Sequence, residues 1–435
     1  MKTLSIFQLV LLGTFGTFGI IGVLVFALAV GGNSNSTAGK VEIWGILNGK
    51  AISEVLAQAG DTDPNLKEVG YLEKDPATYE SELTNSLAVG AGPDLILMRQ
   101  DYVVEDAGKT IPFPTSDISG AKFQSLYIDA GTPYYSSTAG AVALPILADP
   151  LVLYWNRDIL SAGGVAKPPA FWDEVLNIAQ NIKINAHTDS GSISKSAIAL
   201  GEYANVANAK DILSTIILQS GGAITANDNT GRLVASLSPG YGTGGLGVET
   251  ALRFFTQFAD PSKSYYSWNR SLKNSRQAFS AGDLALYIGF ASENAQIASM
   301  NPNLNYGVAP MIQIREGGKT VNAARVYALA VSRTAKNPTG AAIVAKLISS
   351  PAISKNLSTA LGMSSALRDV LAMPADGNYL LFNQQTLIAR SWIDPDSAKT
   401  SDIFRGMIER VSTGSMQISD SIQRANDELG RILER

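Results

Sequence analysis

Beyond its N-terminus, the chain alternates between two hydrophobic periods. Largely apolar runs of strand length occupy residues 41–44, 69–72 and 94–98, and segments with apolar residues three or four apart occupy 51–59 and 79–89. The second spacing places apolar side chains on one face of a helix. Strands that alternate with helices predict a mostly parallel sheet covered on both faces. Ligands of such sheets bind beyond the carboxyl ends of the strands.

One long stretch, Ala143 to Val175, joins two such units. It contains two apolar strands separated by Ala148-Asp149-Pro150, and its second strand ends in Tyr154-Trp155-Asn156-Arg157. We interpret the polar break as the point where the chain leaves one lobe for the next, with Asn305–Pro310 as the return crossing. The predicted boundaries are residues 41–147 and 307–345 for the first lobe, and 148–306 and 346–435 for the second.

The N-terminal segment is apolar and uncharged from Leu4 to Val30. It exceeds the roughly 20 apolar residues that span a bilayer, which predicts a retained transmembrane anchor with the bulk of the chain outside the cell membrane. A removed signal peptide is the competing interpretation, because Ala27-Leu28-Ala29 offers a small-x-small cleavage site. Residues 31–40, rich in Gly, Ser and Asn, predict a flexible linker.

Composition narrows the possible functions. The chain has 435 residues, of which 46% are hydrophobic and 17% charged, which favours two globular domains. A net charge of -4 gives no basic surface for nucleic acid. There is no cysteine, and His187 is the single histidine. Classical catalytic triads and Cys- or His-based metal centres are therefore not expected, and we predict a protein that is not an enzyme and holds no cofactor or metal.

One motif has a misleading form. Residues 240–245 satisfy the GxGxxG pattern of dinucleotide-binding loops. That site needs a strand directly before the glycines, and here Pro239 precedes them. We interpret the motif as a surface loop.

Seven short motifs occur in an order typical of one family. They are VEIWG (41–45), GAGPDLILMRQD (90–101), LPILADPLVLYWNRDIL (144–160), PPAFWDEV (168–175), AFSAGDLALYIG (278–289), NYGVAPM (305–311) and YALAVSRTAKNPTGAAIVAKLI (327–348). Together they resemble the family 1 extracellular solute-binding proteins of ABC importers, the group that contains maltose-binding protein. The resemblance implies an α/β, two-lobed periplasmic-binding-protein fold of type II, a monomer whose lobes close on a ligand by hinge rotation and then meet ABC permease subunits.

The resemblance also assigns candidate ligand contacts in the first lobe. The loop after the first strand maps onto Trp44, Asn48 and Lys50, and the loop after residues 94–98 onto Asp101 and Tyr102. Aromatic planes stack on sugar rings, and amides and carboxylates bond hydroxyls. The alternative for Trp44 is a core residue at a strand end, and the alternative for Asp101 and Tyr102 is a solvated loop.

Further candidates come from the crossover and the second lobe. Asp149 at the crossover is either a ligand contact or a turn residue. Equivalent strand-end positions are occupied by Glu202, Tyr203, Phe290 and Glu293, and Trp392 is a further candidate platform whose alternative is helix packing.

These residue types suit a carbohydrate, in particular a neutral oligosaccharide, and the predicted function is its capture for an ABC importer. The alternative ligand classes are a peptide, a polyamine and a phosphorylated compound. A ligand-sensing ectodomain without transport is the second hypothesis, and a secreted carbohydrate-active enzyme is the third.

Overall fold

A computed structural model describes residues 38–181, 186–187, 193–238 and 245–434, with only the backbone of residues 181, 186 and 187. The predicted anchor Leu4–Val30, linker residues 31–37 and most of the GxGxxG motif lie outside these ranges, as does the side chain of His187. Within the described ranges, no helix combines the length and apolarity that a membrane span requires.

The described residues contain sixteen strands. They are β1 Val41–Gly45, β2 Val69–Glu73, β3 Leu95–Arg99, β4 Thr110–Ile111, β5 Tyr135–Ser136, β6 Gly140–Ala141, β7 Leu144–Asn156, β8 Ala186–His187, β9 Ile193–Ile198, β10 Thr225–Asn227, β11 Leu233–Ala235, β12 Leu284–Phe290, β13 Tyr306–Ala309, β14 Asn322–Ser332, β15 Ser364–Ser365 and β16 Ala389–Arg390.

Helices cover these strands. They are α1 Gly49–Thr62, α2 Tyr79–Ala88, α3 Val103–Asp106, α4 Gly120–Leu126, α5 Arg157–Ala162, α6 Trp172–Asn181, α7 Ala209–Gln219, α8 Gly245–Thr256, α9 Ser275–Ser280, α10 Glu293–Met300, α11 Pro338–Ile348, α12 Pro351–Leu361, α13 Arg368–Leu371, α14 Gly377–Leu387, α15 Ser397–Ser412 and α16 Ile418–Leu433.

The sheet is mixed, which corrects the prediction of mostly parallel strands. Its order is β2-β1-β3-β14-β7-β12-β9-β8. β1 runs parallel to β2 and β3, and β9 parallel to β12, but β14 runs antiparallel to β3 and β7, and β12 antiparallel to β7. The physical reason is that β7 leads out of the first lobe and β14 returns to it, so the two central strands run in opposite directions.

β7 is long because its sequence is apolar almost throughout. Its 13 residues are buried except for the half-buried Trp155, as expected of a central strand covered on both faces. Asp149 is the one charged residue of β7. Its carboxylate accepts hydrogen bonds from the backbone N (2.9 Å) and Oγ (2.6 Å) of Ser292.

Two hydrophobic cores define the lobes. The first core takes its residues from 38–148, 324–371 and Ala389, and the second takes its residues from 151–312 and 382–429. The predicted change of lobe at Asp149-Pro150 agrees with this division. The later boundaries differ, because residues 346–371 pack on the first core and Met311 on the second. An amphipathic pattern indicates that a helix packs against a hydrophobic core, but it does not indicate which of the two cores that is.

The return crossing is β14 and not Asn305–Pro310. β13 pairs with residues 153–156 at the far end of β7 and so stays in the second lobe. β14 instead pairs with β7 from Pro150 back to Leu144, with a register shift between Tyr327 and Ala328.

Candidate functional site

A cleft of about 260 Å³ opens where the two lobes meet. It lies between the end of β3, the beginning of α7, the beginning of β14 and the segment from β16 to α15. Its polar and aromatic lining is Arg99, Gln100, Asp101, Tyr203, Asn208, Lys210, Asp211, Ser214, Arg325, Arg390, Ser391, Trp392, Asp394, Ser397 and Ser401. The position beyond a strand's carboxyl end agrees with the sequence-based expectation for β3.

On the side of the first lobe, the cleft is lined by an ion pair. Arg99 at the end of β3 donates from Nε (2.5 Å) and Nη2 (2.6 Å) to the two carboxylate oxygens of Asp101. The same carboxylate accepts a 2.6 Å hydrogen bond from Oγ of Ser397 on α15, which belongs to the second lobe. Burial raises the pKa of Asp101, but the charge and hydrogen bonds of Arg99 outweigh it and hold the pKa well below its usual range. Asp101 is therefore an ionised acceptor at the boundary between the lobes.

The wall from the second lobe is built on α7. Nζ of Lys210 donates to Asp394 (2.7 Å) and to Oγ1 of Thr400 (2.7 Å), and lies 5.4 Å from the ring of Trp392. The Trp392 ring stacks on Phe404 with centroids 6.2 Å apart. Since Phe404 is buried in the second core, this contact holds the indole in place at the cleft.

The crossing strand contributes Arg325. Its Nη2 donates to Asp211 at 3.1 Å and to Asn208 at 3.4 Å, both at the start of α7. Its guanidinium carbon lies 3.9 Å from the ring centroid of Phe290. These contacts attach β14 to the second lobe, so Arg325 belongs to the cleft and to the connection between the lobes.

The structure brings three predicted site residues, Asp101, Tyr203 and Trp392, to the cleft. Tyr102 is adjacent, with its ring 5.2 Å from the guanidinium carbon of Arg99, but it is outside the described lining. Whether any of them contacts a ligand stays a prediction.

The predicted contacts after β1 lie away from this cleft. Trp44 is buried in the first core, where its Nε1 donates to Glu42 at 2.6 Å. Asn48 caps α1 by accepting from the backbone N of Ala51 at 2.9 Å. Lys50 is 85% exposed. The strand-end core interpretation of Trp44 describes its observed position.

The remaining predicted residues are buried and lie outside the described lining of the cleft. Asp149 is held by Ser292, and Glu202 accepts from Arg270 at 3.1 Å. Phe290 is 1% exposed beneath Arg325. Glu293 accepts from Nδ2 of Asn208 (2.8 Å), from the backbone N of Phe290 (3.1 Å), from Nε of Arg276 (2.8 Å) and from the phenol of Tyr287. Their polar atoms are engaged by the protein itself.

Sequence reasoning missed several cleft residues, and two signals were available. Arg325 is a lone charge in the otherwise apolar NAARVYALAV run, which is unusual in a central strand. Asp394 follows Trp392 closely, a pairing of an aromatic platform with a hydrogen-bond acceptor. Asn208, Lys210 and Asp211 carried no such signal, because polar residues at the start of a helix are ordinary.

The cleft residues offer no metal centre. Among the residues that the structure describes, no three His, Cys, Asp or Glu side chains are grouped so that they could hold an ion.

Comparison with solved structures supports the two-lobed α/β periplasmic-binding-protein fold. The cyclic α-maltosyl-1,6-maltose binding protein from Arthrobacter globiformis is 17% identical, with a TM-score of 0.74 over 91% of this chain and 99% of the other. The GacH receptor of Streptomyces glaucescens, solved free and with acarbose, is 17% identical, with a TM-score of 0.69 over 91% and 98%.

Sequence comparison points the same way. A candidate binding protein of Brucella abortus (strain 2308) is 24% identical over 172 residues, which span 37% of this chain and 39% of that relative. The family model described as bacterial extracellular solute-binding protein matches residues 47–353, which is most of the chain. The family is a class of substrate-binding proteins, and this chain belongs to it.

Proposed function

We propose that the chain is the extracytoplasmic solute-binding component of an ABC importer, and that it captures a carbohydrate, in particular an oligosaccharide, in the cleft between its lobes. The observation that carries the proposal is a cleft lined from both lobes and from the crossing strand β14. Family membership supports a binding role, and the similar solved structures include a receptor in complex with acarbose and a binding protein for a cyclic maltosyl-maltose.

The lining has the groups that sugar recognition needs. Trp392 offers a fixed aromatic face, which packs against the C–H face of a sugar ring. Asp101 accepts hydroxyl hydrogen bonds, and Arg99 and Asn208 supply donors or acceptors beside it. A ligand between them would contact both lobes at once.

Hinge closure follows from that placement. Ser397 of the second lobe already donates to Asp101 of the first, so the lobes meet at the residues that would hold the ligand. A ligand shifts the equilibrium toward the closed form only by its greater affinity for that form. Closure would then present the loaded protein to permease subunits.

The proposal includes the location of the chain. The uncharged segment Leu4–Val30 is proposed as an anchor that holds a monomer on the outer face of the cell membrane, with secretion after signal cleavage as the alternative. We also propose that the chain has no catalytic activity. Incubation with labelled oligosaccharides would reveal shorter products if it were an enzyme.

The second candidate is a ligand-sensing protein, or one that binds a non-sugar solute. The density of ionised groups in the cleft favours a polar or charged solute over an apolar one. A neighbouring gene for a receptor kinase would favour sensing, and neighbouring genes for multi-span permeases would favour import.

Thermal unfolding against a panel of sugars, amino acids and peptides tests the proposal. A ligand that binds only the folded state stabilises it by RT ln(1 + [L]/Kd), about 2.7 kcal/mol at a hundredfold excess over Kd. We expect at least one oligosaccharide to raise the unfolding midpoint. A shift with peptides and none with sugars would show that the proposed ligand class is wrong.

A further inference from the structure

The beginning of α7 is unusual. Asn208, its N-cap residue, has φ of 61°, and it is the only non-glycine residue with positive φ in the described ranges. Such a conformation is uncommon outside glycine, although Asn adopts it more readily than most residues. The Asn208 side chain makes no capping bond to the helix. It donates to Glu293 at 2.8 Å and accepts from Arg325 at 3.4 Å instead.

This arrangement leaves the first turn of α7 without a side-chain cap while Asn208, Ala209 and Lys210 line the cleft. The N-terminus of a helix carries a partial positive charge, and its backbone N–H groups point outward. Uncapped helix starts of this kind bind anionic groups.

Positive side chains surround the same space. Arg99, Lys210, Arg325 and Arg390 line the cleft, against the carboxylates of Asp101, Asp211 and Asp394 in the described lining.

One further carboxylate, Asp129, contacts a cation of the lining but is shared with a second arginine. Asp129 accepts from Nη2 of Arg390 at 2.8 Å, but it is also bonded to Arg368. Both described hydrogen bonds of the Arg325 side chain use Nη2, so Asp211 engages one edge of that guanidinium. Among the lining side chains themselves, four cations therefore stand against three carboxylates, and Glu293 lies outside that lining.

A buried hydroxyl supplies an independent observation. Ser214 is 3% exposed, lines the cleft, and its Oγ has no hydrogen-bond partner in the structure. It lies four residues after Lys210, on the same face of α7. A buried polar atom without a partner is unfavourable by about 1–3 kcal/mol. A ligand oxygen in the cleft would supply that partner.

We propose that the ligand is an acidic carbohydrate, whose carboxylate or phosphate group binds between the first turn of α7 and Arg325. Ser214 donates to an oxygen of the same ligand, and Trp392 packs against a ring. Asp211 holds Arg325 in place through their ion pair. The inference rests on the proposed carbohydrate-binding function and narrows its ligand to an anionic carbohydrate.

Calorimetric titration of the full-length chain in mild detergent tests the inference. The probes are trigalacturonate for the carboxylate, glucose 6-phosphate for the phosphate, and maltotriose as the neutral sugar, each at low and high salt. We expect one acidic probe to bind at least about tenfold tighter than maltotriose, since hydrogen bonds to charged groups contribute about 1.5–3 kcal/mol. Its affinity should fall as salt rises.

Two variants and a control locate the anionic group. Arg325→Gln should weaken the acidic probe about tenfold or more, and Ser214→Ala should weaken it without loss of folding. Arg315→Gln is the matched control, because Arg315 also lies over an aromatic ring (Phe171, 4.1 Å) and pairs with carboxylates, but it is outside the cleft lining. It should bind as the unsubstituted chain does.

The outcomes separate the two proposals. Tight maltotriose binding with no gain from acidic probes overturns the acidic-ligand inference and leaves carbohydrate capture standing. Equal effects of Arg325→Gln and Arg315→Gln also overturn the inference. If Arg325→Gln does not fold, Ser214→Ala decides, and unchanged acidic binding in that variant overturns it. Binding of peptides or amino acids with no sugar binding at all overturns both proposals.

Discussion

Each lobe has a carboxylate just after the end of a strand, but the hydrogen-bond partners of the two carboxylates differ. At the end of β3, Asp101 is bonded to Arg99 of its own lobe and to Ser397 of the other. At the end of β12, Glu293 is 7% exposed and its donors include Arg276 and Tyr287, both in the second lobe. The first end faces the cleft, and the second is closed within one lobe.

The difference has a structural cause. β12 continues through a short turn into α10, which begins at Glu293, so this carboxylate lies at a helix start and is drawn to the backbone N of Phe290. β3 continues into a single turn of 3-10 helix, Gln100–Tyr102, whose Asp101 reaches Ser397 of the second lobe. Of these two strand-end carboxylates, the one with partners from both lobes is the one that lines the cleft.

The largest expected effect is at the closed strand end. Glu293→Ala removes the shared acceptor of several buried donors and leaves Arg276 without its carboxylate. We expect the free energy of unfolding to fall by about 3–5 kcal/mol, as for other broken buried ion pairs. Urea denaturation measures the loss. Glu293→Gln retains an acceptor and should lose less, and a loss below about 1 kcal/mol in Glu293→Ala would contradict a closed buried network.

The hinge carboxylate should make stability depend on pH. Burial raises the pKa of Asp149 to about 7, against the hydrogen bonds from Ser292 and the charge of Arg325. Its pKa in an unfolded chain is about 3.9. Between these values the folded state binds the extra proton, so the contribution of Asp149 to the free energy of unfolding is lost as pH rises from about 4 to about 7.

Asp149→Asn removes this titration. Relative to the unsubstituted chain, the variant should become more stable as pH rises, by between about 2 and 4 kcal/mol across that range, since one pKa unit corresponds to 1.36 kcal/mol. Denaturation at pH 4.5, 6 and 8 measures the difference. Parallel pH profiles of the two proteins would contradict a protonated buried carboxylate at the hinge.

A smaller effect is expected at the contact between the lobes. Ser397→Ala removes one hydrogen bond to the ionised Asp101, which keeps its pair with Arg99. We expect the closed form to lose about 1.5 kcal/mol, which should weaken ligand binding about tenfold. Ser412→Ala is the control, because Ser412 lies on the same helix and donates within it to Glu409. Equal ligand affinities of the two variants would show that the contact between Ser397 and Asp101 does not contribute to closure.

The smallest effect is expected after β1. Lys50 is exposed and only 4.0 Å from Glu54 in a pair on one helix face, so Lys50→Ala should leave ligand affinity unchanged within about twofold, since exposed pairs contribute little. The same titration as for Ser397→Ala measures it. A tenfold loss would return the binding site to the loop after β1, as the resemblance predicted.

The sequence predicted what depends on local pattern. The strand–helix alternation follows from apolar periodicity and the change of lobe at Asp149-Pro150 from the polar break there, whereas the resemblance assigns Asp101 as a candidate contact. The return crossing at β14 was missed because the apolar β13 has the same pattern, and pairing partners are not visible in one sequence. The predicted platform Phe290 is covered by Arg325, a contact between residues far apart in the chain.

The central claim is that ligand binds in the cleft beside α7 and not at the loop after β1. Titration of the full-length chain with its best sugar ligand, repeated with Trp392→Ala and Lys50→Ala, tests it directly. The account predicts that Trp392→Ala weakens binding at least about tenfold, through loss of the stacking platform, and that Lys50→Ala does not. Undiminished binding by Trp392→Ala together with a loss in Lys50→Ala would contradict it.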